Sequence, residues 1–191
     1  MKKLVYIIFP FLILIISCKE MNKEVKEEET LKKQNTKPNI IFIYADDLGY
    51  GDVSAYGSEE INTPNMDKLA DGGVLFTDGY ASSATCSPSR FALLTGTYPW
   101  RNKDAKILEG TAPLLIDTNQ MTIPKMLRSN GYHTGIVGKW HLGLGNGMVN
   151  WNKEITPGPN QVGFDYSFIM AATQDRVPTV YIKNGHVENL D

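Results

Sequence analysis

Residues 38–52 read PNIIFIYADDLGYGD, an apolar run that ends on two adjacent carboxylates. The nearly continuous apolar, β-branched and aromatic residues at 39–45 predict a strand buried on both faces of a parallel sheet. Asp46 and Asp47 follow at its carboxyl end, where open α/β sheets bind ligands. Buried like charges need a cation beside them, and carboxylate oxygens favour Ca²⁺ or Mg²⁺. We therefore predict metal ligands at Asp46 and Asp47, the alternative being a solvated or capping pair.

Helix and strand signals alternate after this run. N-capping threonines, first-turn prolines and closing glycines predict helices over residues 64–71, 88–94 and 123–130. Further strands are predicted at residues 74–76 and 132–137, and Asn184-Gly185 predicts a hairpin within residues 180–187. The alternation favours an α/β fold with a mostly parallel central sheet and helices on both faces.

The composition excludes several classes of protein. The 191 residues include 42% hydrophobic residues and carry a net charge of −2, which is too apolar and too weakly charged for a disordered chain. After Lys37 there are 11 basic and 16 acidic side chains, a net charge of −5. No nucleic-acid partner is expected, although a local group of cations can still bind an anionic substrate. Two cysteines cannot make a disulfide scaffold, and no disulfide is predicted.

The N-terminal segment has the pattern of an export signal. Residues 1–18 comprise two lysines, an apolar stretch at 4–16, Ser17 and Cys18. Thirteen helical residues span only about 20 Å, less than the roughly 30 Å of a bilayer core. The end of the run resembles the lipobox of bacterial lipoproteins, which implies acylation of Cys18; the alternative is an ordinary signal peptide. We expect an exported lipoprotein on the periplasmic side or the cell surface, held by its lipid anchor alone, with the charged residues 19–37 as a flexible tether.

A second cluster begins at Cys86, in the segment Cys-Ser-Pro-Ser-Arg. A helix N-terminus there would aim backbone N–H groups at a bound anion, and Arg90 returns to the same face one turn later. A nucleophile beside a fixed cation suits attack on an anionic centre, whereas the alternative is a buried core cysteine. Lys139 and His141 form a third cluster, because residues i and i+2 of an extended segment point the same way.

These segments resemble the type I sulfatases, the formylglycine-dependent members of the alkaline phosphatase superfamily. CSPSR matches the C-x-P-x-R signature of this family, and GKWHLG at 138–143 matches its second signature. Residues 38–52 match the family's metal-binding first strand, and NTPNMDKLA at 62–70 matches its first helix. The resemblance covers residues 38–191. It implies the N-terminal part of the catalytic domain of a bacterial lipoprotein sulfatase, with an alkaline-phosphatase-like α/β/α sandwich.

The resemblance implies a modified nucleophile. Cys86 would be oxidised to formylglycine by a formylglycine-generating or sulfatase-maturing enzyme, and the aldehyde would hydrate to a geminal diol. One hydroxyl would attack sulfur to form a covalent sulfo-enzyme, and the second would help expel sulfate. Asp46, Asp47 and the modified Cys86 side chain would face Ca²⁺, and Arg90 would stabilise the nucleophile.

The remaining implied roles concern the substrate. Lys139 would bind the sulfate oxygens, and His141 would hydrogen-bond the formylglycine hydrate. Asp175 and Arg176 resemble a stretch of bacterial members and are candidates for substrate contact, with a structural ion pair as the alternative. His186, beyond the hairpin turn, is a further substrate-contact candidate.

The implied activity is sulfuric ester hydrolysis on a sulfated carbohydrate or an aryl sulfate. A phosphonate or phosphodiester hydrolase is the alternative within catalysis, and a non-catalytic binder of sulfated ligands is the alternative outside it. Sulfatases usually run to several hundred residues, and the Asp-Asn pair, lysine and histidine that complete their site are not identifiable here. We therefore expect a truncated sequence that alone lacks activity.

Overall fold

The computed structural model describes residues 37–188. The predicted signal peptide, the acylation site Cys18 and the tether up to residue 36 lie outside the described residues. The chain divides after Ala45 into two units, and the described residues of these are 37–45 and 46–188. Within the described part of the chain, no helix has the length and apolarity needed to cross a membrane.

Two of the predicted strands are wrong. Residues 39–45 have no strand conformation and their side chains are exposed, with Ile41 86% accessible. Residues 74–76 likewise have no strand conformation, and Val74 is 76% accessible. A strand exists only where its backbone N–H and C=O groups pair with a neighbouring strand. Neither segment belongs to the sheet that the described residues form.

The three predicted helices are present. Helix α1 spans Pro64–Asp71, α2 spans Cys86–Thr95 and α3 spans Ile123–Ser129, and a short α4 covers Pro159–Val162. Short 3₁₀ helices cover Tyr50–Asp52, Ser54–Tyr56 and Pro99–Arg101. Helix α2 begins two residues before its predicted start, so Cys86 is its first residue. Its last residue is Thr95, and the Gly96 that follows has a left-handed φ of 65°.

The described sheet has four strands in the order β1-β2-β3-β4: Gly135–Lys139, Tyr166–Met170, Tyr181–Lys183 and His186–Val187. Strands β1 and β2 are parallel, whereas β2-β3 and β3-β4 are antiparallel. The α/β class is confirmed, and in this region the sheet is mixed rather than mostly parallel. The hairpin is confirmed as well, since Asn184 and Gly185 have φ values of 46° and 84°, as its two-residue turn requires.

The segment after β1 runs through the core. Trp140 and Leu142 are 1% and 0% exposed, and the indole N–H of Trp140 donates to the Gly143 carbonyl at 2.7 Å. The N–H groups of Trp140 and His141 donate to the Met170 and Ala171 carbonyls at 2.9 and 3.0 Å, which extends the β1-β2 pairing past the end of β1. These contacts fix the backbone on which Lys139 and His141 lie.

Gly143, the last residue of the second signature, lies in a strained position. Its φ is 76°, and a Cβ atom there would lie 1.8 Å from the Pro113 carbonyl oxygen. We expect Gly143→Ala to lower the free energy of unfolding by about 3 kcal/mol or more, because the backbone must move. Urea unfolding of the purified protein measures this. Gly51→Ala is the matched control, since a Cβ at Gly51 meets nothing within 4 Å; equal unfolding midpoints for the two variants would contradict the prediction.

Candidate active site

The structure brings Cys86 against Lys139. Cys86 is partly exposed at the first position of α2, where the extended Thr85 (φ −126°, ψ 154°) leads the chain into the helix. Lys139 ends β1, and its Nζ lies 3.1 Å from Cys86 Sγ. The start of a helix and the carboxyl end of a strand therefore meet.

Asp46 and Arg90 complete this cluster. Arg90 Nη2 donates to Asp46 Oδ1 at 3.0 Å, and Lys139 Nζ donates to the other carboxylate oxygen, Oδ2. Arg90 Nη1 also donates to the Lys139 backbone carbonyl at 2.7 Å. The side chains of Arg90 and Lys139 are only 12% and 16% exposed. Two largely buried cations, Arg90 and Lys139, therefore lie beside the Asp46 carboxylate and the Cys86 side chain. Because Asp46 neutralises only one of the two positive charges, the other is available to an anionic ligand.

The cations keep Asp46 ionised. Partial burial would raise the pKa of this carboxyl, but the hydrogen bonds and positive charges of Lys139 and Arg90 outweigh burial, and the pKa lies below its ordinary value of 3.8. Asp46 is therefore a carboxylate at neutral pH. The Asp46 carboxylate binds Arg90 and Lys139 through its two oxygens and so holds the two cations beside each other.

His141 lies deep beside this cluster. It is 1% exposed and has a left-handed φ of 55°. Its Nε2 atom is 2.9 Å from the Leu108 carbonyl oxygen and 3.2 Å from Arg176 Nη1, which donates to the same carbonyl. Burial lowers the pKa of His141, and the positive charges of Lys139, Arg176 and Arg90 lower it further against the opposing effect of the Leu108 hydrogen bond. The ring is neutral at pH 7.

The lowered pKa of His141 predicts a pH dependence of stability. Its folded-state pKa lies below the ordinary value of 6.5, so the unfolded chain binds a proton first as the pH falls. We expect the free energy of unfolding to decrease as the pH drops below 6.5, until the folded-state pKa is reached. His141→Gln should remove part of this slope, measured as urea midpoints between about pH 5 and pH 8. The same slope in the variant and the parent protein would contradict the assignment.

The other predicted residues divide into two groups. Arg176 joins the site through His141 and Leu108. Asp175 is exposed, and its pKa lies below the ordinary value of 3.8, chiefly because of the neighbouring Thr173 hydroxyl. Asp47 is exposed with a φ of 57°, and it takes no part in the hydrogen bonds of the cluster. His186 is exposed on β4, paired with Lys183, and is also outside the cluster.

Two participants were missed by the sequence reasoning. The Leu108 carbonyl receives hydrogen bonds from His141 and Arg176, and the hydroxyl of Ser87 accepts the Leu108 N–H at 3.2 Å. A backbone carbonyl leaves no signature in residue type, so Leu108 could not have been found. For Ser87 the only signal was its position next to Cys86.

The carboxylates fit the chemistry of a hard cation but supply only part of its oxygen shell. Ca²⁺ takes six to eight oxygen ligands. Asp46 and Asp47 offer two carboxylates, and both oxygens of Asp46 already accept hydrogen bonds from cations. Across residues 37–188, no group of three His, Cys, Asp or Glu side chains is arranged to hold a metal ion.

Comparisons with known proteins point to one family. A sulfatase family model matches residues 38–188. An N-acetylgalactosamine-6-O-sulfatase of Bacteroides thetaiotaomicron is 50% identical over 185 residues, covering 96% of this chain and 35% of that protein. Arylsulfatase A of Homo sapiens is 47% identical over 109 residues, covering 56% of this chain and 22% of that protein.

Solved structures give the same match. A 6S-sulfatase structure from work on glycosaminoglycan metabolism by Bacteroides thetaiotaomicron superposes with a TM-score of 0.79 at 56% identity, covering 81% of this chain and 32% of that chain. A structure in complex with its substrate D-glucosamine-2-N,6-O-disulfate superposes with a TM-score of 0.60 at 32% identity, covering 80% of this chain and 28% of that chain. The chain therefore spans about a third of the length of these relatives.

Proposed function

This chain belongs to the sulfatase family, and from that premise we propose that the protein is a sulfuric ester hydrolase acting on sulfate monoesters. The observation that carries the proposal is the contact of Lys139 Nζ with Cys86 Sγ at 3.1 Å, beside the Arg90–Asp46 ion pair. A sulfate monoester is an anion, so cations fixed around the nucleophile position stabilise the charge of its transition state.

The reactive group in this proposal is made from Cys86. A formylglycine-generating or sulfatase-maturing enzyme oxidises Cys86 to formylglycine, whose hydrate supplies one hydroxyl for attack on sulfur and a second that allows the enzyme to release sulfate. Cys86 is suited to modification and attack because it is partly exposed and begins a helix. The N–H groups of the first helical turn point toward an anion held there.

The other side chains bind charge or move protons. Lys139 would bind the sulfate oxygens, while Arg90 holds the end of β1 through the Lys139 carbonyl and holds Asp46 through its carboxylate. At an effective dielectric constant of about 20, one unit charge near 4 Å contributes roughly 4 kcal/mol, or about three decades of rate. In this proposal His141, neutral at pH 7, exchanges a proton with a hydroxyl at position 86.

A divalent cation belongs to the same proposal. Asp46, Asp47 and the modified side chain at position 86 would hold Ca²⁺, with Mg²⁺ as the second choice among hard ions. The bound ion would supply positive charge against the sulfate group. Further oxygen ligands are required beyond these three residues.

The proposed substrate is a sulfated carbohydrate. Two relatives are named for, or solved with, sulfated amino sugars. A 6-O-sulfated hexosamine is therefore the first substrate to test, followed by aryl sulfates. The candidates for contact with the sugar are Arg176, which contacts His141, and the exposed Asp175 and His186. The stabilisation of the sulfate charge by Lys139 and Arg90 does not depend on these three residues.

The reaction class is tested with matched esters. The protein from its complete reading frame, coexpressed with a maturing enzyme, is assayed on a sulfate monoester, a phosphodiester and a phosphonate that share one aryl leaving group. We expect the highest kcat/KM for the sulfate. The highest kcat/KM for the phosphodiester or phosphonate would favour the alternative hydrolase. Sulfate-ester binding without turnover, with residue 86 still an unmodified cysteine, would favour a non-catalytic binder.

The location of the protein is a separate part of the proposal. The sequence at residues 1–18 supports export and acylation of Cys18, with the chain facing the periplasm or the outside of the cell. We expect Cys18→Ala to move the protein from the membrane fraction to the soluble fraction and to abolish incorporation of labelled palmitate. Unchanged fractionation and labelling would contradict lipid anchoring.

A further inference from the structure

Two buried polar side chains meet at the peptide group of Leu108. The Ser87 hydroxyl accepts the Leu108 N–H at 3.2 Å, and the Leu108 carbonyl oxygen is 2.9 Å from His141 Nε2. Ser87 is 0% exposed and His141 is 1% exposed. One peptide group therefore connects the residue next to Cys86 with the imidazole ring beside the site.

This contact decides where the hydrogen of the neutral ring resides. A carbonyl oxygen only accepts hydrogen bonds, so Nε2 of His141 must carry the hydrogen to bond with Leu108. The other tautomer would set the Nε2 lone pair against the carbonyl oxygen. Arg176 would favour that other tautomer, because its Nη1 lies 3.2 Å from Nε2 and is able to donate a hydrogen bond to it. The position of the Leu108 carbonyl therefore selects between the two tautomers.

The opposite nitrogen is the one available for chemistry. Nδ1 of His141 is buried and has no hydrogen-bond partner among the described residues. The charged groups that act on the ring are Arg176, Lys139 and Arg90, all cations, and they disfavour a charged imidazole. With the hydrogen on Nε2, Nδ1 keeps a free lone pair, on a ring that the charges of Lys139 and Arg90 reach.

We propose that Ser87 is a positioning residue: by holding the Leu108 peptide, it fixes His141 as the Nε2–H tautomer and leaves Nδ1 as the proton-accepting atom of the site. The effect on turnover rests on the proposed sulfatase function, whereas the tautomer does not. Without the Ser87 hydroxyl, the Leu108 peptide keeps only its carbonyl contacts with His141 and Arg176 and shifts, Arg176 donates to Nε2, and the hydrogen moves to Nδ1.

The tautomer is read directly by NMR. The protein is labelled with ¹⁵N-histidine, and because it has only three histidines, His133→Gln and His186→Gln variants identify the signals of His141. In the parent protein we expect a protonated-type Nε2 and an unprotonated-type Nδ1 at neutral pH. Ser87→Ala should shift both signals toward the other tautomer. An Nδ1–H tautomer in the parent protein, or an unchanged spectrum in Ser87→Ala, would overturn the proposal.

Kinetics and matched variants complete the test. Because Ser87 lies next to the modified residue, kcat is expressed per formylglycine-containing site, and these sites are counted by mass spectrometry. On that basis, Ser87→Ala should lower kcat about tenfold and change KM less than about twofold. Ser87→Thr keeps the hydroxyl and should restore both tautomer and kcat; Ser89→Ala, a buried serine of the same helix, should retain the parent tautomer. If Ser87→Ala does not fold, Arg176→Met serves instead, since loss of the competing donor should keep Nε2–H, and the opposite tautomer would overturn the proposal. A tautomer shift in Ser87→Ala, combined with a parent protein that cleaves no sulfate ester, would support the positioning role and contradict the proposed function.

Discussion

Replacing Cys86 by alanine is expected to abolish sulfate-ester hydrolysis, with a loss of at least about 10⁴-fold in kcat. Alanine has no thiol group to be oxidised, so the aldehyde whose hydrate supplies the nucleophilic hydroxyl cannot form, while Lys139, Arg90 and Asp46 keep their mutual contacts. The measurement is release of inorganic sulfate from a 6-O-sulfated hexosamine by the protein from its complete reading frame. Activity within about tenfold of the parent would contradict the assignment.

Cys86→Ser is the informative companion variant. Serine at position 86 keeps one hydroxyl but lacks the second hydroxyl of a hydrated aldehyde. If mass spectrometry shows that the serine is unmodified, we expect multiple turnover to be lost as it is in Cys86→Ala. Steady turnover by an unmodified serine would show that formylglycine is not needed.

Neutralising Lys139 is expected to have the second largest effect. Its Nζ lies 3.1 Å from Cys86 Sγ and also binds Asp46, so it is a cation in direct contact with the reacting position. Lys139→Met should lower kcat/KM by about 10²–10³-fold, the range found when one preorganised donor is removed from a transition state. Initial rates at low substrate concentration measure this value directly.

The control for Lys139 is another lysine of the same sheet. Lys183 is exposed on β3 and lies outside the cluster, so Lys183→Met removes an equal charge without touching the site. We expect its kcat/KM to stay within about twofold of the parent value. Similar losses in the two variants would mean that overall charge, and not the position of Lys139, determines the rate.

The sequence best predicted the positions of residues that lie in or next to helices and strands with clear start or end signals. Cys86 follows from the helix start signals at 85–88, and Lys139 from the strand that precedes it. Arg90 follows from the spacing of one helical turn. Because such ends lie at one edge of an α/β sheet, residue type and spacing were enough to expect that the three side chains meet.

Other features depend on long-range pairing that no local pattern encodes. The apolar run at 39–45 reads as a strand, yet it has no strand conformation, and a strand forms only when a neighbouring strand pairs with it. The start of β1 at Gly135 instead of 132 follows its register with Tyr166. The role of the Leu108 carbonyl depends on backbone position alone, which residue type does not reveal.

The most direct test measures sulfate release against the fraction of formylglycine at position 86 in the same preparations. Coexpression with different amounts of maturing enzyme varies that fraction, and mass spectrometry of the peptide that contains residue 86 quantifies it. The account predicts a rate proportional to the formylglycine fraction and no detectable rate when the fraction is zero. Sulfate release at full rate from protein that carries only unmodified Cys86 would contradict it.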